Sequence, residues 1–180
     1  DNVFPDIDGD VATSKMIEAS QFNMGVSEFT GNKPAFINFT LETLNKNYPT
    51  MLTNEEVVVE ILETVKPGKK LLAHCKDLHE KGYTLALDDY IHQKVWAHFY
   101  PYISIIKIDF QSIEVENLTE IKSAIEKYPH IKLLAEKVET YEEYQHALDM
   151  GFEYFQGYFF SKPEVVKTKS LTPSQMTIAE

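Results

Sequence analysis

The sequence predicts an α/β fold, specifically a TIM-like (β/α) barrel. Short apolar segments alternate with segments of helical periodicity along most of the chain, the order typical of a parallel sheet with crossover helices. The apolar segments are nearly continuous, as in strands that are covered on both faces. Six strands are recognisable where an eight-stranded barrel needs eight. We therefore expect a barrel that lacks its first strand through N-terminal truncation, with residues 22–32 as a poor candidate for one more.

An open, doubly wound sheet is the alternative architecture for the same order of elements. Such a sheet would need a glycine-rich phosphate loop after one of its strands. The sequence has no such loop, which favours the barrel.

The predicted strands are apolar, and most hold one or two polar residues among apolar neighbours. They cover residues 34–40, 57–62, 84–87, 103–110, 132–138 and 152–160. The second strand is rich in β-branched residues, which favour strands.

Helices are predicted between the strands from their periodicity and their end signals. They cover residues 11–20 and 41–47, a segment from Pro67 to the residues before Gly82, residues 118–128, and residues 140–150. Pro67 suits a first helical position, and Gly82 and Gly151 suit helix ends. Thr140 and Glu143 have the spacing of a capping box.

Composition limits the classes of function. The 180 residues are 43% apolar and 25% charged, with a net charge of −11; this charge disfavours broad binding to nucleic-acid polymers, which need basic faces. No apolar run approaches the ~18 residues of a membrane span. The single cysteine, Cys75, excludes an internal disulfide and is typical of a reducing compartment, so we expect a cytoplasmic protein.

The polar residues of the predicted strands are the candidate site. Asp88 and Asp89 follow the third strand directly, at the carboxyl end, where such barrels place their chemistry. The corresponding residues of the other strands are Asn38, Glu60, Lys107, Glu136 and Gln156. An amide oxygen and several carboxylates converging at one rim form a hard, oxygen-rich site suited to Mg²⁺ or Mn²⁺.

Each of these residues also has a structural interpretation when taken alone. A lone Asn or Glu at a strand end is usually a solvated terminus, a cap or an ion-pair partner. Lys107 could pair with Asp88 or Asp109, or act as a Schiff-base lysine in a different barrel enzyme. The repetition of the pattern over six strands favours a shared functional site.

Successive motifs then resemble those of EAL domains, the bacterial cyclic-di-GMP phosphodiesterases. The motifs are Ile37-Asn38, Glu60-Ile-Leu-Glu63, Ala86-Leu-Asp-Asp-Tyr90, Lys107-Ile-Asp109, Ala135-Glu-Lys-Val-Glu139 and Gln156-Gly157-Tyr158-Phe159. The last two look most similar to the EAL part of EAL-HDOD (YuxH-like) signalling proteins. By this resemblance, residues 1–163 form an EAL-like barrel domain and residues 164–180 a surface segment or a linker to an absent C-terminal HDOD-like domain.

The resemblance also implies roles for the candidate residues. Asn38, Glu60 and Asp88 match metal ligands, and Asp89 matches the acid that reaches a second metal. Lys107 and Glu136 match catalytic residues: the lysine that orients a metal-bound water, and a second-metal or base-side carboxylate. Gln156 matches a substrate-binding residue that lines the site, and Glu139 a carboxylate that orders the loop after the aspartate pair.

The expected activity is metal-dependent hydrolysis of cyclic-di-GMP to linear pGpG, with cyclic-di-GMP as partner and a homodimer as a further expectation. The sequence departs from the family in two places. The glutamate of the name motif has no counterpart and would lie before Asp1. The glycine-rich loop after the aspartate pair is replaced by residues 90–96, a segment two residues shorter. The alternative is a catalytically silent EAL domain that acts as a cyclic-di-GMP receptor or a protein-interaction module.

Overall fold

The computed structural model describes residues 34–157 and the backbone of residues 176–178, which form one seven-stranded sheet with its strands in sequence order. The strands are β1 (Ala35–Phe39), β2 (Val57–Ile61), β3 (Thr84–Leu87), β4 (Ile105–Asp109), β5 (Lys132–Glu136), β6 (Tyr154–Gln156) and β7 (Met176–Ile178). Strands β1 to β6 are parallel, and β7 is antiparallel to β6. Six parallel strands in sequence order confirm the TIM-like (β/α) fold. The predictions for residues 1–33 lie outside the described residues.

Helices connect the parallel strands. They are α1 (Leu41–Asn45), α2 (Lys69–Glu80), α3 (Val115–Ile125) and α4 (Tyr141–Asp149), with 3₁₀ helices at Tyr48–Met51, Lys94–His98 and Tyr100–Tyr102. Where the structure describes the chain, no helix is both long and apolar enough to cross a membrane.

The two faces of the sheet bury different sets of side chains. Side chains alternate between the faces along each strand. One face contributes residues such as Ile37, Val59 and Leu85 to the main core under the helices. The opposite face carries a separate small apolar cluster, made of Val58, Ala86, Ile105 and Leu134 with Phe36 and Tyr154 against it. This second cluster is the interior of the barrel.

Several element boundaries differ from the sequence prediction, among them those of β5, β4 and α2. Strand β5 ends at Glu136 instead of residue 138 because Lys137 has a left-handed backbone, with φ 61°. Strand β4 covers Ile105–Asp109 within the predicted 103–110. Helix α2 begins at Lys69 and not at Pro67, because Gly68 is its N-cap, with extended backbone.

Other end signals are confirmed. Thr140 and Glu143 form the predicted capping box at α4, each side chain accepting from the other residue's backbone N–H. Gly82 and Gly151 follow α2 and α4 with φ values of 87° and 96°, the left-handed conformation that glycine adopts at helix ends. Cys75 lies buried on α2, and burial raises the pKa of its thiol to about 12. A thiol that stays protonated is a poor nucleophile.

Candidate functional site at the carboxyl ends of the strands

The six polar residues predicted from the strands all lie on the inner face of the sheet. Each follows a member of the inner apolar cluster by two positions, which returns the side chain to the same face. The pairs are Phe36 and Asn38, Val58 and Glu60, Ala86 and Asp88, Ile105 and Lys107, Leu134 and Glu136, and Tyr154 and Gln156. The polar layer therefore lies directly above the apolar floor, at the carboxyl end of the sheet.

Lys107 is the centre of this layer. Its Nζ lies 2.5 Å from Glu60 Oε1, 3.3 Å from Asp88 Oδ1 and 3.5 Å from Glu136 Oε1. It also lies 5.6 Å from the centroid of the Phe36 ring, within the range of a cation–π contact. Lys107 and Glu60 are almost fully buried, with side-chain exposures of 2% and 1%, whereas Asp88 and Glu136 reach 16% and 18%. The network thus runs from the buried interior to the rim.

Burial and charge act against each other at Lys107. Burial alone would lower the pKa of its ammonium group, but the carboxylates of Glu60, Glu136 and Asp88 outweigh this effect and raise the pKa above its ordinary value. The lysine therefore remains protonated at neutral pH. A Schiff-base mechanism needs a neutral amine, so this environment disfavours that alternative.

The pKa values of two carboxyl groups beside Lys107, those of Glu60 and Glu136, are also raised. Burial raises the pKa of Glu60, although Lys107 opposes the shift. Burial also raises the pKa of Glu136, to about 8, with the nearby Asp88 adding to the effect and Lys107 opposing it. A carboxyl group with a pKa near neutrality can exchange protons during catalysis.

Gln156 completes the inner layer on β6. It is 5% exposed, and within the described part of the chain its Oε1 is buried without a hydrogen-bond partner. The next residue, Gly157, has a φ of 152°, and a Cβ there would lie 2.4 Å from the Val138 nitrogen and 2.5 Å from its oxygen. Only glycine allows this approach, and the Val138 N–H donates to the Gln156 carbonyl at 3.1 Å. The backbone contact fixes the strand end that carries Gln156.

Two predicted residues lie away from the Lys107 network. Asp89 is exposed and has a φ of 41°, a left-handed conformation that aspartate tolerates better than most residues. Glu139 is exposed too, and its backbone N–H donates to Glu143 Oε2 at 2.7 Å. The predicted roles of Asp89 at a second metal and of Glu139 in ordering the loop stay predictions.

The pairing of Asp109 with Lys137 at the rim was not predicted from the sequence, in which Asp109 was a possible partner of Lys107. Asp109 Oδ2 accepts from Lys137 Nζ at 2.6 Å, and Asp109 Oδ1 accepts from the Gln111 backbone N–H at 2.9 Å. Burial alone would raise the pKa of Asp109, but these hydrogen bonds lower it below its ordinary value. The sequence signal was present: Asp109 follows Lys107 by two positions and so shares its face of β4.

The segment after the aspartate pair is held by aromatic packing. Tyr90 and Trp96 are buried, with their ring centroids 6.3 Å apart. The Tyr90 backbone N–H donates to the Lys107 carbonyl at 2.9 Å, and the Tyr90 and Tyr100 hydroxyl oxygens lie 2.7 Å apart. Cavities of about 220 Å³ and about 380 Å³ flank the segment, and Asp89 lines both.

The donor atoms of the inner layer suit a divalent cation in type. The Asn38 amide and the Glu60 and Asp88 carboxylates supply hard oxygen ligands, which Mg²⁺ and Mn²⁺ prefer. Among residues 34–157 no three His, Cys, Asp or Glu side chains form a ready-made metal site. In the arrangement described, the positive charge between the carboxylates is the Lys107 ammonium group.

Comparison with known proteins decides the family. The family model of the EAL domain matches residues 10–163. The chain belongs to the EAL domain family. The predicted resemblance is therefore confirmed, whereas the domain boundaries at residues 163 and 164 stay predictions.

Two relatives share more than a third of the aligned residues of this EAL domain. The cyclic di-GMP phosphodiesterase CdgJ of Vibrio cholerae is 37% identical over 177 residues, which are 97% of this chain and 41% of that protein. The uncharacterised protein YuxH of Bacillus subtilis is 36% identical over 179 residues, 96% of this chain and 43% of YuxH. The chain thus spans about two fifths of the length of these curated relatives.

Solved EAL structures share the fold. The Bacillus subtilis YkuI protein, which has an EAL domain, was solved in complex with substrate c-di-GMP and calcium. It matches with a TM-score of 0.64 at 19% identity, over 92% of this chain and 46% of that one. At this level of identity the match supports the TIM-like fold.

Proposed function

We propose that this EAL domain is a cyclic-di-GMP phosphodiesterase that hydrolyses one phosphodiester bond to give linear pGpG, with Mg²⁺ or Mn²⁺ as cofactor. The observation that carries the proposal is the placement of Lys107 among Glu60, Asp88 and Glu136 on the carboxyl-end face of the sheet. The family of the chain and the ligand of the YkuI complex support the choice of substrate.

Different residues of the inner layer would perform different parts of the hydrolysis. Asn38, Glu60 and Asp88 would hold a divalent ion, with Asp89 and Glu136 towards a second. When bound, such ions neutralise charge on the phosphate oxygens and lower the pKa of a coordinated water. They also reconcile an anionic substrate with a carboxylate-rich pocket.

The chain's own residues would orient the water and take its proton. The Lys107 ammonium has three N–H donors, of which one is on Glu60, and a donor that now faces Asp88 at 3.3 Å or Glu136 at 3.5 Å would turn to the water. Glu136 would accept the proton from the attacking water in its ionised form, and burial, which raises its pKa to about 8, makes that carboxylate a stronger base. The water oxygen forms the new bond to phosphorus, and the bond from phosphorus to the ribose oxygen breaks; the ribose oxygen leaves with the bonding electrons and takes up a proton from solvent. Gln156 offers a buried amide to the substrate.

A receptor without turnover is the second candidate, because two observations favour it. The Lys107 ammonium lies 2.5 Å from Glu60 Oε1 and so engages one of the carboxylates that would have to hold the ion. The segment after Asp89 is packed by Tyr90 and Trp96, where the family has a glycine-rich loop. In this case the domain would bind cyclic-di-GMP and regulate an attached domain or a partner protein.

An assay of the full-length protein separates the candidates. The protein is incubated with cyclic-di-GMP and Mg²⁺ or Mn²⁺, pGpG is measured by chromatography, and binding is measured by calorimetry. Product supports the enzyme, binding without product supports the receptor, and neither result overturns both. The homodimer, an attached HDOD domain and the cytoplasmic location stay predictions.

The variant Asp88→Asn tests the site itself. It removes a carboxylate from the Lys107 network, so we expect hydrolysis to fall by about a hundredfold or more while circular dichroism stays unchanged. The matched control is Asp77→Asn, which removes an exposed aspartate from α2, where Asp77 pairs with Lys81 at 2.8 Å. Hydrolysis retained in Asp88→Asn would place the active site elsewhere.

A further inference from the structure

Lys137 is unusual in its backbone and in its position. It is a lysine in the left-handed region, with φ 61°, where residues other than glycine, asparagine and aspartate are uncommon. Its ammonium group lies 2.6 Å from Asp109 Oδ2, and its side chain is 62% exposed while that of Asp109 is 14% exposed. The rim therefore carries a solvent-accessible cation anchored to a half-buried carboxylate.

Local stability does not account for this lysine. Glycine would adopt the same backbone without steric conflict, and exposed ion pairs contribute little to folding. Nevertheless hydrogen bonds from the neighbouring strand end fix the position of Lys137. Gln111 Nε2 donates to the Lys137 carbonyl at 3.0 Å, and the Gln111 backbone N–H donates to Asp109 at 2.9 Å. The strand ends hold both the backbone and the charge of Lys137 in place.

The position is next to the carboxylates of the proposed site. Lys137 follows Glu136 directly, and Asp109 is the register partner of Glu136 across β4 and β5. Hydrogen bonding to Asp109 raises the pKa of Lys137, and the charges of Asp89 and Glu136 add to the shift. Asp89 and Asp109 line the cavity of about 380 Å³ beside this rim. An anionic ligand that approaches this rim meets the carboxylates of Asp89, Asp109 and Glu136 and needs a cation.

The buried lysine cannot supply that cation at the rim. The Lys107 side chain is 2% exposed and is already engaged by three carboxylates. Lys137 is exposed, and an ammonium group has three N–H donors. One donor can remain on Asp109 while the others contact a phosphate oxygen.

We propose that Lys137 is a ligand-binding residue that contacts a phosphate group of the anionic ligand, and that Asp109 is its positioning residue. This inference rests on the proposed cyclic-di-GMP function. In this proposal Lys137 recognises the negative charge of the ligand at the mouth of the site. The metal ligands and the buried Lys107 network have separate roles.

The test is calorimetric binding of cyclic-di-GMP to the full-length protein in the presence of Ca²⁺, the ion in the YkuI complex. We expect Lys137→Gln to weaken binding by about tenfold, because a charge-assisted hydrogen bond is lost. It should also reduce the dependence of the affinity on salt concentration. Lys137→Arg keeps the charge and should remain within about threefold of the wild type.

Lys132→Gln is the matched control. Lys132 begins the same strand that Lys137 follows, and it pairs with Glu153 at 3.3 Å. This variant removes an equivalent charge from the opposite end of β5, so binding should be unchanged. Loss of binding equal to that of Lys137→Gln would show a general charge effect and overturn the inference.

The role of Asp109 is tested by a double-mutant cycle. Asp109→Asn should weaken binding in the wild type but have no further effect in the Lys137→Gln background, because it acts through Lys137. Additive losses would overturn the positioning role. Wild-type affinity in Lys137→Gln would overturn the phosphate contact and leave the proposed ligand standing. Failure of the wild type to bind would overturn the proposed function and the inference together.

Discussion

Two lysines lie at the carboxyl ends of the strands, and they are held in opposite ways. Lys107 is buried and lies within 3.5 Å of three carboxylates, whereas Lys137 is mostly exposed and pairs with one. A buried charge is costly unless it is matched, which explains the number of partners around Lys107. An exposed ammonium is already solvated by water and needs no such set. Lys107 is thus held by carboxylates of the protein, whereas the Lys137 ammonium group is accessible to a ligand.

Residues with different roles, one in the buried network and one at the rim, are adjacent in the chain. Glu136 ends β5 and belongs to the buried network, and Lys137 follows it with a left-handed backbone. The Lys137 side chain is exposed and pairs with Asp109 at the rim. One strand end therefore supplies a group to the buried network and a group to the rim.

Replacing the buried lysine should have the largest effect. Lys107→Met removes the cation and leaves Glu60, Asp88 and Glu136 close together without a counter-charge. We expect a loss of about 3–5 kcal/mol in the free energy of unfolding, the usual cost of breaking a buried ion pair from one side. Urea denaturation of the full-length protein measures it.

The same substitution at the rim is the control. Lys137→Met should change the free energy of unfolding by less than about 1 kcal/mol, because exposed ion pairs contribute little. Equal losses in the two variants would show that burial does not distinguish the two lysines.

The pH dependence of stability sharpens the comparison from the carboxylate side. Burial raises the pKa of Glu136 from 4.5 to about 8, so between these values the folded protein holds a proton that the unfolded chain has released. Stability from this group is fully present below pH ~4.5 and is lost as the pH rises towards 8. We expect Glu136→Gln to be more stable than the wild type at pH 9 by roughly 1–3 kcal/mol and similar to it at pH 4.

These measurements are made by urea denaturation with a chelator, so that bound divalent ions do not contribute. Glu139→Gln is the control because it removes an exposed carboxyl group three residues away. The stability of Glu139→Gln should depend on pH in the same way as the stability of the wild type. A profile for Glu136→Gln that is parallel to the wild type would mean that the pKa of Glu136 is the same in the folded and the unfolded protein.

Much of the site could be predicted because a strand has a period of two. Once the strands were placed, the polar residues Asn38, Glu60 and Asp88 had to share a face with the apolar residues two positions earlier. Parallel strands end at the same edge, so the shared rim followed as well. The helix ends at Thr140 and Gly151 could be predicted for a similar reason, since their signals are local.

The partners within the site could not be predicted in this way, because register and backbone torsion are set by packing. The sequence left Asp88 and Asp109 open as partners of Lys107. The register Ala86 to Ile105 brings Asp88 beside Lys107, while Asp109 is opposite Glu136 and is taken by Lys137. The left-handed backbone of Lys137 could not be predicted from the sequence, because lysine normally avoids this conformation. The short antiparallel strand β7 was not expected either.

The smallest expected effect concerns the backbone of Lys137. It tests whether the left-handed conformation of this residue is strained. Lys137→Gly and Lys137→Met both remove the ion pair with Asp109, but only glycine adopts a φ of 61° without steric conflict. We expect the glycine variant to be more stable than the methionine variant by about 1 kcal/mol, the usual cost of a left-handed conformation per residue, as measured by urea denaturation. The glycine variant should nevertheless bind cyclic-di-GMP as weakly as Lys137→Gln, because it lacks the ammonium group. Equal stability of the two variants would mean that the backbone of Lys137 is unstrained, and the lysine would then need no functional explanation.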